Sequence, residues 1–185
     1  MTKALIICLI LAFQAAPTRA QDIQRRVITE DVPDLADVMR VGAYKTHSGF
    51  PVPRHVSLKY TRVNGRLGPS LEHPVLWQYR RKGLPLIVVA EMDVWRKVRD
   101  HDGGESWMLS QALSGIDTGL LLQEARLYKS DDPGSYVLAH LEKNVIVRIQ
   151  ACHGDSWCKV RSPTGQKGWV RRDRLWGAQD FDRNF

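Results

Sequence analysis

Asp93-Val94-Trp95-Arg96-Lys97-Val98-Arg99 returns as Asp155-Ser156-Trp157-Cys158-Lys159-Val160-Arg161, five of the seven residues being identical at a shift of 62. The same shift carries Gly103 onto Gly165, Trp107 onto Trp169, Leu113 onto Leu175 and Gly115 onto Gly177. Upstream it carries Val75-Leu76 onto Val137-Leu138 and Ile87 onto Ile149. One offset held without a gap over so long a stretch marks a tandem duplication, so a single fold has to account for both copies.

Each copy is built of short β-branched and aromatic runs bounded by turn residues, the pattern of an all-β small barrel. The strand candidates of the first copy are 56–60, 75–79, 84–91, 94–99 and 105–108; those of the second are 125–129, 136–141, 145–151, 157–161 and 169–170. Asn64-Gly65 and Gly68-Pro69 read as turn formers in a polar first loop. Asp102-Gly103 marks a tight hairpin. Ser110 to Leu113 is too short for a stable helix and fits one 3₁₀ turn. Leu120 to Leu122 reads as the last strand of the first copy, which leaves almost no linker before Glu124. Cores built from about 60 residues are marginal alone, so the short connection predicts two barrels packed on each other.

A long first loop, a distal hairpin and a 3₁₀ turn before the last strand make each copy resemble the bacterial SH3 domain family. The residues carrying the resemblance are Val63-Asn64-Gly65-Arg66-Leu67-Gly68-Pro69-Ser70, Asp-x-Trp-x-Lys-Val at 93–98 and 155–160, and Gly-x-x-x-Trp at 103–107 and 165–169. The chain looks most like exported tandem SH3 proteins of proteobacteria. The resemblance implies two tandem SH3-like barrels, at 55–122 and 123–180, and a binding rather than a catalytic role; such barrels host unrelated activities, so no ligand follows from it. Eukaryotic SH3 domains grip Pro-rich peptides with clustered Tyr and acidic loop residues. Here the first loop offers Arg62, Asn64 and Arg66, so that specificity does not transfer.

Residues 1–20, MTKALIICLILAFQAAPTRA, read as a signal peptide. Lys3 supplies the positive start, Ala4 to Phe13 the apolar core, and Thr18-Arg19-Ala20 the cleavage signal. The apolar run is about half the ~20 residues that span a bilayer, so a membrane-spanning segment is not expected. Cleavage before Gln21 removes Lys3 and Arg19 and lowers the net charge from +7 to +5. A periplasmic or secreted protein is expected, and nucleic acid is not an expected partner despite the basic balance of 27 Lys+Arg over 20 Asp+Glu. Residues 21–54 read as an irregular arm, with Pro33 to Val41 as its one candidate short helix, and 181–185 as a tail.

Chemistry-bearing motifs are scarce. The six His form neither a His-x-x-x-His nor a His-Glu-x-x-His pair, and no nucleophile elbow or phosphate loop occurs. No catalytic residues, cofactor or metal are therefore expected. Cys152 and Cys158 flank a hairpin tip. A three-residue turn centred on Asp155 sets them face to face, whereas a two-residue turn sets them diagonally and strains a bond. Export and an even Cys count after cleavage favour a disulfide; a metal site with His153 lacks a fourth ligand, and free thiols remain the third option. The equivalents in the first copy at the common shift are Ala90 and Arg96.

Trp107 and Trp169 recur at a hairpin exit and, with Val98 and Val160, are assigned to the barrel cores. Strand alternation then sends Trp95 and Trp157 to the opposite face, beside Lys97/Arg99 and Lys159/Arg161, as a stacking platform or as a surface buried between barrels. Trp77 and Trp176 have no aromatic counterpart (Ala139 and Ser114) and so are candidates for a ligand or an interface. Basic clusters lie at Arg80-Arg81-Lys82, Arg96-Lys97-Arg99 and Arg171-Arg172-Arg174. They suit either a solvated surface or attraction to anionic envelope polymers, lipid headgroups or peptide carboxylates. The ligand-binding candidates are Trp77, Arg80, Arg81, Trp95, Arg96 and Lys97. The expected partner is a cell-wall polymer, namely peptidoglycan, or an envelope protein. The alternatives are a purely protein–protein assembly module or an accessory or inhibitor of a periplasmic enzyme.

Overall fold

The computed structural model describes residues 45–154 and 156–178. The signal peptide, most of the 21–54 arm, Asp155 and the 181–185 tail fall outside them. Two seven-stranded antiparallel sheets, one per copy, form two tandem SH3-like barrels. The first contains β1 (Arg54–Leu58), β2 (Val63–Arg66), β3 (Val75–Tyr79), β4 (Pro85–Met92), β5 (Trp95–Arg99), β6 (Glu105–Leu109) and β7 (Leu113–Ser114), in the order β3-β2-β6-β5-β4-β1-β7. The second contains β8 (Thr118–Leu121), β9 (Ala125–Tyr128), β10 (Val137–Leu141), β11 (Ile146–His153), β12 (Trp157–Arg161), β13 (Lys167–Arg171) and β14 (Leu175–Trp176), in the equivalent order β10-β9-β13-β12-β11-β8-β14. Single 3₁₀ turns at Ser110–Ala112 and Arg172–Arg174 precede β7 and β14.

The long first loop is itself a hairpin, which corrects the reading of Asn64-Gly65 as a turn. Both residues lie in β2, paired with Gln78 and Trp77 of β3. Glycine is needed there for room rather than for a turn: a Cβ at Gly65 would meet Ser106 Oγ at 2.4 Å. The second copy exchanges the sizes. Leu127 stands at the position of Gly65 and is fully buried, and Gly168 stands at the position of Ser106. A Cβ at Gly168 would meet the Tyr128 carbonyl oxygen at 2.5 Å. One strand or the other has to yield volume where these two cross.

Val98 and Val160 are fully buried, within cores that include Leu58, Leu86, Val88 and Met108 in the first barrel and Leu127, Val147, Cys158 and Val170 in the second. Trp107 and Trp169 do not join these cores, contrary to expectation. In β6 the buried residues are Ser106 and Met108, and in β13 they are Gly168 and Val170, so the intervening Trp points outward and is only half-buried.

Leu120 to Leu122 is not the end of the first barrel. β8 pairs with β11 and β14 and so opens the second sheet. All four of its residues are buried, because it lies where the barrels meet: Leu121 belongs to the second core, while Leu120 belongs to the first. Ile146 and Trp176 also pack against the first core, which gives the copy-specific Trp176 an interface role. Its ring meets His101 edge-on, with centroids 6.3 Å apart. Thr118 Oγ1 donates to the Gly83 carbonyl at 2.8 Å, and the Arg81 guanidinium donates to the Asn144 carbonyl.

Pairing also corrects the single offset. Val88 pairs with Val98, and Ile149 pairs with Val160. Ile149 is therefore the counterpart of Val88, not of Ile87. Gly83 and Asn144, both at positive φ (77° and 67°), occupy the same turn before β4 and β11. Their backbone N–H groups donate to Leu58 O and Leu121 O respectively. The copies thus slip by one residue ahead of this turn and recover it at the next hairpin, where two residues separate Met92 from Trp95 but three separate His153 from Trp157.

Candidate functional site

The two-for-three exchange decides what sits at each hairpin tip. In the second barrel Cys152 and Cys158 are directly paired across β11 and β12 and form a disulfide, with Cα atoms 4.0 Å apart. The pair at the same ladder position in the first barrel is Glu91 and Arg96, replacing the Ala90–Arg96 equivalence read from the sequence. The Arg96 Nε lies 3.1 Å from Glu91 Oε1, and the Glu91 side chain is only 2% exposed. Arg54 Nη2 donates to the same oxygen at 2.5 Å, and Ser48 donates its N–H to Oε2 and its hydroxyl to Oε1, at 3.0 and 2.8 Å. Burial pushes the Glu91 carboxyl up, but the Ser48 and Arg54 hydrogen bonds outweigh it and hold the group below the ordinary glutamate value. Arg96 also donates to the Asp93 and Trp95 carbonyls at 2.7 and 2.9 Å. A guanidinium so occupied and buried is a strut, so Arg96 leaves the set of ligand-binding candidates.

Trp95, one residue away, points to the other face. It is 8% exposed, not the open platform that alternation alone suggests, because the β2–β3 hairpin folds over that face. Between them remains a cleft of about 280 Å³. Trp95 and Leu109 line its apolar side, Tyr60 and Leu71 line its mouth, and Arg62 and Arg66 bring positive charge. The Arg66 guanidinium donates to the Leu71 and His73 carbonyls at 2.9 and 2.7 Å and so fixes the hairpin that forms the wall. Arg62 is exposed.

The corresponding Trp157 is covered differently. Tyr128, at the position of Arg66, meets its ring edge-on at 5.4 Å, and the Arg171 guanidinium, at the position of Leu109, lies 5.4 Å over it. Trp169 on the same face is flanked by the His153 ring at 4.7 Å and Lys159 Nζ at 5.9 Å. On this face of the second barrel Trp157 and Trp169 are thus covered by the barrel's own aromatic and cationic side chains.

The other sequence candidates are spread out. Lys97 pairs with Glu105 at 2.5 Å, as does Arg99. Burial raises the Glu105 carboxyl, but these two cations outweigh it and lower it on balance. Trp77 lies on edge strand β3 and is 42% exposed. Its indole N–H donates to Tyr79 Oη at 2.7 Å, and the Tyr79 hydroxyl donates to Asp100 Oδ2 at 2.9 Å. Burial, reinforced by Asp100, pushes that phenol up to about 12. Arg80 and Arg81 are exposed and lie apart from the Trp95 cleft. In the third basic cluster, Arg172 is held by the Gly154 and Ala178 carbonyls at 2.9 and 2.8 Å, and Asp173 lies 3.9 and 3.6 Å from Arg171 and Arg174. The cleft residues that sequence reasoning missed are Tyr60, Leu71 and Leu109. The only signal for them was their place beside the first loop and before the 3₁₀ turn.

The family model for the bacterial SH3 domain matches twice, at residues 59–115 and 123–177. The chain belongs to the bacterial SH3 domain family. No curated protein matches it. Among solved structures it is similar to NlpC2 and NlpC1 from Trichomonas vaginalis and to an NlpC/P60 family protein from Bacillus cereus ATCC 10987. Identities are 14%, 14% and 15%, and TM-scores are 0.31, 0.32 and 0.31. The matches cover 68%, 72% and 66% of this chain but 48%, 49% and 55% of the respective structures, about half their length. Among the described residues, no helix is long and apolar enough to cross a membrane.

Proposed function

We propose that this is a non-catalytic, exported binding module whose first barrel takes a cell-envelope component, peptidoglycan or an envelope protein, into the Trp95 cleft. The observation that carries the reading is the contrast between the two tryptophans. Trp157 is capped by Tyr128 and Arg171, whereas Trp95 borders a cleft between a fixed hairpin wall and an exposed cation, Arg62. An apolar floor beside a guanidinium suits a peptide or amino-sugar unit that carries a carboxylate. Family membership supports binding as the role of the barrels, and the basic balance of the chain favours an anionic partner.

Sedimentation with purified cell-wall sacculi at low and high salt tests it. The protein is expected to pellet at low salt and to be released as salt rises. The Tyr60→Ala/Arg62→Glu variant, altered only at the exposed mouth, is expected to keep its melting temperature and to stay in the supernatant. Pelleting of that folded variant at the level of the parent protein overturns the cleft assignment.

A second reading, an assembly module with a protein partner only, rests on edge strand β3, where Val75, Leu76 and Trp77 are each more than 40% exposed. It predicts no pelleting with sacculi, together with capture from envelope extracts that Trp77→Ala abolishes.

A further inference from the structure

At the ladder level where β5 and β12 end, the first barrel balances its charge and the second does not. At one ladder level of the first barrel Ile87 pairs with Arg99 and Arg99 with Glu105, so the single cation faces a carboxylate 2.5 Å away. At the same level of the second barrel Arg148 pairs with Arg161, and Arg161 with Lys167. Three cations thus stand side by side across β11, β12 and β13. Like charges directly opposite on adjacent strands destabilise a sheet, so this row works against the fold that carries it. Arg81 and Lys82 approach from the first barrel, and together with Arg148 and Arg161 they line a cleft of about 430 Å³ at the junction. Among the described residues, none of these five cations has a carboxylate within ion-pair distance.

The floor of the cleft narrows the ligand. It is aliphatic, formed by Val145, Ile146, Val147 and Pro163, with no aromatic ring for a base or a sugar to stack on. Ile146 and Thr118 are anchored to the first barrel, by packing and by the 2.8 Å bond to the Gly83 carbonyl, so the two strands flanking the cleft are held together. We propose that this junction cleft is a second binding site, separate from the Trp95 cleft and built by both copies together, for an acidic peptide segment. Its carboxylates would meet Arg81, Lys82, Arg148 and Arg161, and its aliphatic side chains would lie on Ile146 and Pro163.

The test uses the full chain and a fluorescein-labelled peptide of alternating glutamate and alanine, followed by anisotropy. Binding is expected at low salt and is expected to weaken as salt rises. Arg148→Ala/Arg161→Ala should weaken it about tenfold, and Arg126→Ala/Lys129→Ala, which removes the same charge from exposed positions on and just after β9, by less than twofold. Lys167→Glu restores the first barrel's arrangement. It should raise the melting temperature by about 2 °C while weakening the peptide, a combination that damage to the fold cannot produce. Absence of binding at low salt, or equal losses in the two double variants, overturns the proposal. Displacement of the peptide by inorganic polyphosphate at equal or lower charge concentration also overturns it, by showing that bare charge rather than a peptide is read.

Discussion

The tips of the β4–β5 and β11–β12 hairpins solve one problem with different chemistry. Both must tie together two residues that face each other across the ladder just before the hairpin tip. The first does it with Glu91 and Arg96, supported by Arg54 and by Ser48 from the segment ahead of β1. In the second barrel β8 follows β7 after only Gly115, Ile116 and Asp117, so no comparable upstream segment exists to donate hydrogen bonds. A buried ion pair with too few donors costs more than it returns, and there the disulfide needs no third partner. What the duplication retains is the cross-strand tie; its chemistry depends on which neighbours each copy has.

That contrast can be broken most severely from the ionic side. Glu91→Ala leaves two largely buried guanidinium groups without their carboxylate and should lower the unfolding free energy by about 3–5 kcal/mol in urea titration. The crossing of small and large residues comes next. Gly168→Ala drives a Cβ against a backbone carbonyl that cannot swing away and should cost about 2–3 kcal/mol. Gly65→Ala meets side chains only, Ser106 Oγ at 2.4 Å and the Tyr79 ring at 3.1 Å, so Ser106→Gly should recover most of its loss, whereas no side-chain deletion should rescue Gly168→Ala. Cys152→Ala/Cys158→Ala, or reductant on the parent protein, should remove about 2 kcal/mol and leave both barrels folded, read as one shifted denaturation curve.

The smallest effect is the most diagnostic. Because the folded-state value of Glu91 lies below its ordinary 4.5, its contribution is present above that pH and is lost as pH falls through the lowered value. Amide exchange along β4 and β5 should therefore accelerate on acidification below about pH 4.5, relative to β11 and β12, whose tie does not titrate. Equal acceleration in both hairpins would mean that Glu91 is not the acid-sensitive element.

The architecture was legible because duplication and turn chemistry both act locally. The seven-residue echo at 93 and 155, the Asp102-Gly103 hairpin and the 3₁₀ turn at Ser110 needed no knowledge of distant neighbours. The site was legible only in outline. Alternation placed Trp95 on the face opposite Val98, but could not reveal that the β2–β3 hairpin closes over it, since that depends on contacts across the barrel. The one-residue slip concealed the equivalence of Glu91 and Cys152, because identical residues on either side kept the offset of 62 intact. Asn64-Gly65 misled because the usual turn signal served a steric need set by Ser106, 41 residues on from Gly65 in the sequence.

Consecutive residues Leu120 and Leu121 serve opposite cores, and this bears on the history of the chain as much as on its strength. A freshly duplicated domain has two self-sufficient halves, either of which can be lost or moved to another gene. Once one strand inserts a leucine into its neighbour, a cut on either side of it leaves one half with a hole and the other with a bare apolar side chain. Calorimetry on the intact chain should then record a single cooperative transition, with enthalpy for the pair rather than for one barrel. The ancestral repeat has in that sense ceased to be a portable part, and selection now acts on the doublet as its smallest heritable unit.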